Sequence, residues 1–211
     1  MTDGVEKKIM GGCGIVGVLF VLFLIIVIGS FIGVWNTLNT KYQDASEGKS
    51  LYSSALNNCT PKIEGVWTIY SQYLDHESQT FQNVAEARSG YKKAFEAYMQ
   101  AKKEGKNTAE LTKLGGQAVN AALAFNVQIE ANPNLKAAEV AQSNISNMQE
   151  AINEIKTALD DWIGNIKGYN TYRGSAWPSI AGAFMSKYPS ELPYYEGPVK
   201  ELDIKKLNPR K

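Results

Sequence analysis

The chain has 211 residues, 22 of them basic and 21 acidic, for a formal net charge of +1. That balance excludes generic nucleic-acid binding, which needs a basic surface to release counterions from phosphate. With 44 % apolar residues the composition is that of a folded protein, yet no charge occurs between Lys8 and Lys41, so the average conceals two different regions.

A short amino-terminal tail, residues 1–8, carries Lys7 and Lys8. Residues 9–35 read as a transmembrane helix, and within them residues 15–34, IVGVLFVLFLIIVIGSFIGV, hold only Ser30 as a polar side chain. At ~1.5 Å per residue this run covers ~30 Å, the thickness of a hydrocarbon core. A cleavable signal has a shorter apolar core of ~7–15 residues and ends on a small-x-small site, so the run reads as a retained anchor. A lipoprotein is excluded because Cys13 precedes the run instead of following it. Lys7 and Lys8 stand nearer to the run than Lys41 and Lys49 do, which directs the amino terminus to the cytoplasm and the body of the protein outside it. Gly29-x-x-x-Gly33 offers a transmembrane packing face, although Gly is common in membrane helices generally.

Residues 36–192 read as a helical bundle. Leu38, Tyr42, Ala45, Tyr52 and Leu56 continue the membrane helix outward. Thr60-Pro61 offers an N-cap and a first-position proline, which predicts a second helix from there with the stripe Ile63, Trp67, Tyr70, Leu74, Phe81, Val84, Tyr91, Phe95 and Tyr98. After the polar turn 103–108, with Thr108 as cap, the third stripe is Leu111, Leu114, Ala118, Ala121, Phe125 and Ile129. Asn132-Pro133-Asn134 ends that helix, and Ile145, Met148, Ile152, Ile155, Leu159, Trp162 and Ile166 mark the last long one. The spacing of three and four predicts helices over about 36–57, 61–103, 108–131 and 135–173, joined by short connections into an up-and-down four-helix bundle with coiled-coil-like seams. A second helix of about 43 residues is too long to fold straight back on a first of about 22, so Pro61 is either a reversal with the bundle leaning or a kink. A short helix over about 179–188 then caps one end, and residues 193–211 form a proline-containing basic tail.

No catalytic, cofactor-binding or metal-ligating set is evident. The chain has one histidine, His76, and the position where an HExxH motif needs its second His is Thr80. Cys13 and Cys59 are separated by the whole membrane helix, too far for an intrachain disulfide. No nucleotide loop or nucleophile elbow is present either, so the protein is expected not to be an enzyme. Glu77 and Arg88 fall on the predicted second seam, ~16 Å apart, where each needs a partner on another helix. Their alternative role is contact with a partner or catalysis, which would require Glu77 or His76 to line an open pocket.

Three clusters together resemble the LemA family of bacterial membrane-anchored helical proteins. The first is His76-Glu77 followed by Phe81, Val84, Ala87 and Arg88. The second is Glu130-Ala131-Asn132-Pro133-Asn134-Leu135-Lys136-Ala137. The third is Tyr169-Asn170, then Trp177-Pro178 where the family usually has Phe-Pro, then Ala181, Phe184 and Pro193-Tyr194-Tyr195-Glu196. The basic pair and Ile-Pro-Asn-Leu turn usual in the family survive only as 57–63, and the Arg-rich stretch of the last helix is replaced around Asp160 and Asp161. The resemblance implies a single-pass anchor in the bacterial cytoplasmic membrane carrying a four-helix bundle. It also implies roles in membrane organisation and envelope stress, in which membrane lipid, a second copy of the chain or an envelope protein would be the partner. Self-association as a scaffold is the leading expectation, and an adaptor presenting the bundle to an envelope protease or signalling protein is the alternative.

Overall fold

A computed structural model describes residues 3–73, 78–132 and 139–195. Five helices follow in order: α1 (Asp3–Tyr73), α2 (Gln79–Lys103), α3 (Thr108–Glu130), α4 (Glu139–Gly174) and α5 (Ala176–Ala183), with no strand among the described residues. The all-α, up-and-down bundle expected from the stripes is therefore present, but its first corner lies elsewhere.

α1 runs without interruption through Pro61, so the two helices expected on either side of that residue are one. The apolar seam explains the continuity. Leu56, Cys59, Ile63, Val66 and Tyr70 are buried at spacings of three and four that cross Pro61 without a change of face. Pro61 itself is exposed, and so is Asn57 four residues earlier, whose carbonyl loses its helical donor to the ring. That loss falls toward solvent, where water can replace the donor. Thr60 does not cap a helix either, since its hydroxyl donates back to the Leu56 carbonyl at 3.1 Å.

The reversal comes between Tyr73 and Ser78. Ser78 is the N-cap of α2, its hydroxyl accepting from the Phe81 amide at 3.2 Å. α2 therefore has 25 residues instead of the ~43 expected, and the length mismatch with the first helix disappears. The cap of α3 is Asn107 and not Thr108, with Oδ1 accepting from the Glu110 amide at 2.9 Å. Between α2 and α3, Gly105 takes φ +69°, a left-handed conformation open to glycine at no steric cost.

Cross-helix pairs fix the topology. Asp44 with Asn165, Gly48 with Trp162 and Asn58 with Glu154 advance along α1 while retreating along α4, so those two helices are antiparallel. Ser53 with Tyr98, Thr60 with Tyr91 and Glu64 with Arg88 give α2 the same sense. Tyr52 with Gly115 and Tyr70 with Ile129 show α3 running parallel to α1. The distal core formed this way includes Tyr52, Leu56, Ile63, Tyr70, Tyr91, Tyr98, Phe125, Ile155 and Trp162.

α2 and α3 are too short to reach the end of the bundle nearest the apolar run of α1. There the bundle is completed by α5 and residues 184–195, which surround Val34 and Leu38 with Tyr169, Ala181, Met185 and Tyr188 in a second, smaller core. α5 begins at Ala176, three residues before its expected start, with Pro178 in the first turn where a missing N–H has no intrahelical partner to lose.

Candidate functional site

Two clusters of polar side chains stand in the described bundle, one toward each end. At the distal end, Arg88 of α2 reaches across to Glu64 of α1. Its Nε donates to Oε2 at 2.9 Å and its Nη2 to the same carboxylate at 2.6 Å, a fork of charge-assisted bonds. The guanidinium also lies 5.0 Å from the Trp67 ring centroid, and Trp67 is tilted against Phe81 at 5.4 Å. Val84 is fully buried one turn before Arg88. Arg88 is thus paired on a neighbouring helix, half-buried at the edge of the core, and Glu64 is the partner that sequence reasoning did not name. His76, Glu77, Pro133 and Leu135 lie outside the described residues.

At the end nearest the apolar run, Tyr169 and Asn170 of α4 hold the chain that follows α5. Asn170 acts as a peptide mimic: Nδ2 donates to the Leu192 carbonyl at 2.9 Å while Oδ1 accepts from the Leu192 amide at 2.8 Å. The Tyr169 hydroxyl donates to the Pro189 carbonyl. Arg173, only 7 % exposed, donates from Nη1 to the carbonyls of Pro178 and Ser179 at 3.3 and 3.1 Å. Gly182 makes room for that guanidinium, since a Cβ there would sit 2.6 Å from Arg173 Cζ. Residues 184–195 are in this way a strap. Tyr194 and Tyr195, at the start of the proline-containing tail expected from sequence, belong to it: the Tyr195 amide donates to Thr112 Oγ1 at 2.9 Å, and Lys167 lies 5.5 Å from the Tyr194 ring.

Between the two ends the core is lined with tyrosines. Tyr52 packs edge-on to Tyr98 and stacks on Trp162, and its hydroxyl donates to the Gly115 carbonyl at 2.9 Å. Burial pushes the Tyr52 phenol well above its ordinary value, and the neighbouring Tyr98 adds to that. Burial also raises Tyr91 and Tyr98, pushes Tyr70 up to about 12, and raises the free Cys59 thiol to about 11. These groups are held in their neutral forms, which makes them packing elements and poor acids or nucleophiles at neutral pH.

An open cleft of about 150 Å³ lies where α1, α3, α4 and the strap meet, lined by Tyr42, Ala45, Ser46, Lys49, Thr108, Trp162, Ile166 and Leu192. It contains one cation and three hydroxyls, with no carboxylate, imidazole or thiol beside them. Among the described residues there is no group of three His, Cys, Asp or Glu side chains placed to hold a metal. Gly29 and Gly33 face open space, with nothing within 4 Å of an added Cβ.

A four-helix bundle strapped at its base and continuous with a helix long and apolar enough to cross a membrane defines the class of protein. The LemA family model matches residues 62–202, about two thirds of the chain, and the protein belongs to the LemA family. The match contains both polar clusters and the strap, and begins one residue after Pro61. No curated protein matches the chain.

Proposed function

We propose that the protein is a single-pass, membrane-anchored scaffold of the bacterial cytoplasmic membrane that self-associates and organises membrane, with its bundle outside the cytoplasm. The observation that carries this reading is the bare apolar end of α1. In the most apolar stretch of that helix no residue is buried by the rest of the chain. A surface of that kind is covered by lipid, or by another helix in lipid. Gly29 and Gly33 stand open on it, where two backbones can approach closely. In the bundle, by contrast, the Arg88 fork, the Asn170 mimic and the tyrosine hydroxyls are spent on holding the fold, which supports a structural and non-enzymatic role.

Crosslinking in native membranes, followed by mass measurement in lipid nanodiscs, tests the reading. Homo-oligomers that weaken on Gly29→Leu with Gly33→Leu are expected. A strictly monomeric chain at native density overturns the scaffold. A stable heterologous partner without self-assembly would point to the adaptor that presents its bundle to an envelope protein.

A further inference from the structure

α5 has two dissimilar sides. Pro178, Ala181 and Gly182 are buried against the bundle, while Trp177, Ile180 and the following Phe184 are 38 %, 55 % and 79 % exposed. Their spacing of three and four puts the exposed three on one face. That face does not point to bulk water at an arbitrary height. Phe31 of α1 meets it directly, with ring centroids 5.3 Å from Trp177 and 6.3 Å from Phe184.

Phe31 lies inside the apolar run, three residues or about 5 Å of helix before its end. Any group fixed to its side shares that depth. Higher along α1 the neighbours change in order. Trp35 packs edge-on to Tyr188, then Asn39 Oδ1 accepts from the Tyr188 hydroxyl at 3.1 Å with Lys187 Nζ at 3.5 Å, and Lys41 stands 6.0 Å from the Tyr172 ring. Apolar rings, then amphipathic rings, then cations is the sequence of layers met on leaving a bilayer through its headgroups.

We propose that α5 is an interfacial helix: Trp177, Ile180 and Phe184 are immersed at the boundary between acyl chains and headgroups of the same bilayer that residues 15–34 cross. The occupant of the exposed face is lipid, because the face is continuous with the lipid-facing surface of α1 and fixed at its depth. The strap, Arg173 and Gly182 hold α5 at that height. This inference rests on the anchored reading of residues 15–34.

The test uses full-length protein with Cys13→Ala and Cys59→Ala in vesicles of phosphatidylethanolamine and phosphatidylglycerol. Spin labels are placed singly through Ile180→Cys, Phe184→Cys, Ile25→Cys in the run and Asp160→Cys on the exposed side of the bundle. Power saturation with oxygen and with a water-soluble nickel chelate then reads depth. Labels at 180 and 184 are expected to favour oxygen over nickel several-fold more than the label at 160, as the label at 25 does. If 25 is lipid-embedded while 180 and 184 are nickel-accessible, the interfacial helix is overturned and the anchor stands. Nickel access at 25 as well overturns both. Exclusion of both reagents at 180 and 184, with dipolar broadening between labels, overturns lipid in favour of a second copy of the chain.

Discussion

Arg88 and Glu64 stand 24 residues apart in sequence, on α2 and α1, and meet through two nitrogens of one guanidinium and one carboxylate. Their side chains are 31 % and 35 % exposed, so solvent screens part of the attraction. Truncating either to Ala is expected to cost about 1 kcal/mol, with a double-mutant coupling of similar size. Arg88→Lys should recover little of it, because a lysine cannot make the fork or lie flat on Trp67. Denaturant melts of the four variants in detergent check this; additive single effects would mean the pair contributes nothing.

Gly48 lies at a close approach of α1 and α4, where a Cβ would be 3.0 Å from Trp162 Cα. Alanine is the better helix former by ~1 kcal/mol, yet Gly48→Ala should destabilise, since the contact is with packed backbone that has to move. Gly90 and Gly164 have nothing within 4 Å of an added Cβ. At those positions the same substitution should stabilise by about 0.5–1 kcal/mol. Comparing melting temperatures of the three variants separates close approach from mere tolerance.

Asn170→Ala removes both bonds to the Leu192 backbone and leaves a partly buried amide and carbonyl without partners. A loss of about 1–3 kcal/mol follows, concentrated in the strap. Asn170→Asp keeps the acceptor for the Leu192 amide but replaces the donor to its carbonyl, so it should rescue only in part. Hydrogen exchange over residues 184–195 should accelerate in both variants while α2 and α3 keep their protection.

Alkaline pH should unfold the bundle through its tyrosines. Burial holds the folded-state value of Tyr70 at about 12, above the ~10 of an unfolded tyrosine, and raises Tyr52, Tyr91 and Tyr98 in the same direction. The unfolded chain therefore binds fewer protons than the native one above pH ~10, and stability falls as pH rises from there through about 12. Below pH ~10 this contribution is fully present. The part of the tyrosinate absorbance that comes from the buried residues and the helical circular dichroism should change together; full tyrosine titration with the helices intact would contradict the burial. Cys59, raised to about 11, should resist alkylation until the same transition.

Much of this fold was legible because buried positions keep a spacing of three and four. All seven residues of the α4 stripe are in the core, and Gly105 lies in the turn where the chain reverses between α2 and α3. Pro61 misled because its local signal, an N-cap residue followed by proline, is strong, while the contrary signal is spread along the helix. Leu56 and Ile63 are seven residues apart, one heptad, and so belong to a single seam. Ser78, the actual cap, has no proline after it to announce a helix start. In the candidate sites, Tyr169, Asn170 and Pro178 were found as motif residues, but their work of binding a strap could not be read, since it joins side chain to backbone. Glu64 was hidden for a related reason. Its partner is specified only once α1 and α2 are set antiparallel about the reversal after Tyr73.

The unbroken α1 also sets a height. From residue 35 to Tyr73 it extends about 58 Å along its axis, so the helix ends at Tyr73, Gln79, Glu130 and Glu139 are gathered at a fixed elevation above the apolar run. No flexible tether intervenes to blur that distance. It can be altered only in whole steps of the seam: seven residues inserted into both α1 and α4 between the smaller core and the short helices would lift the far end by about 10 Å and keep the helix seams in register, at the cost of the strap's bond to Thr112. The molecule is in that sense a gauge, graduated in heptads, for how far from the apolar run its far end stands.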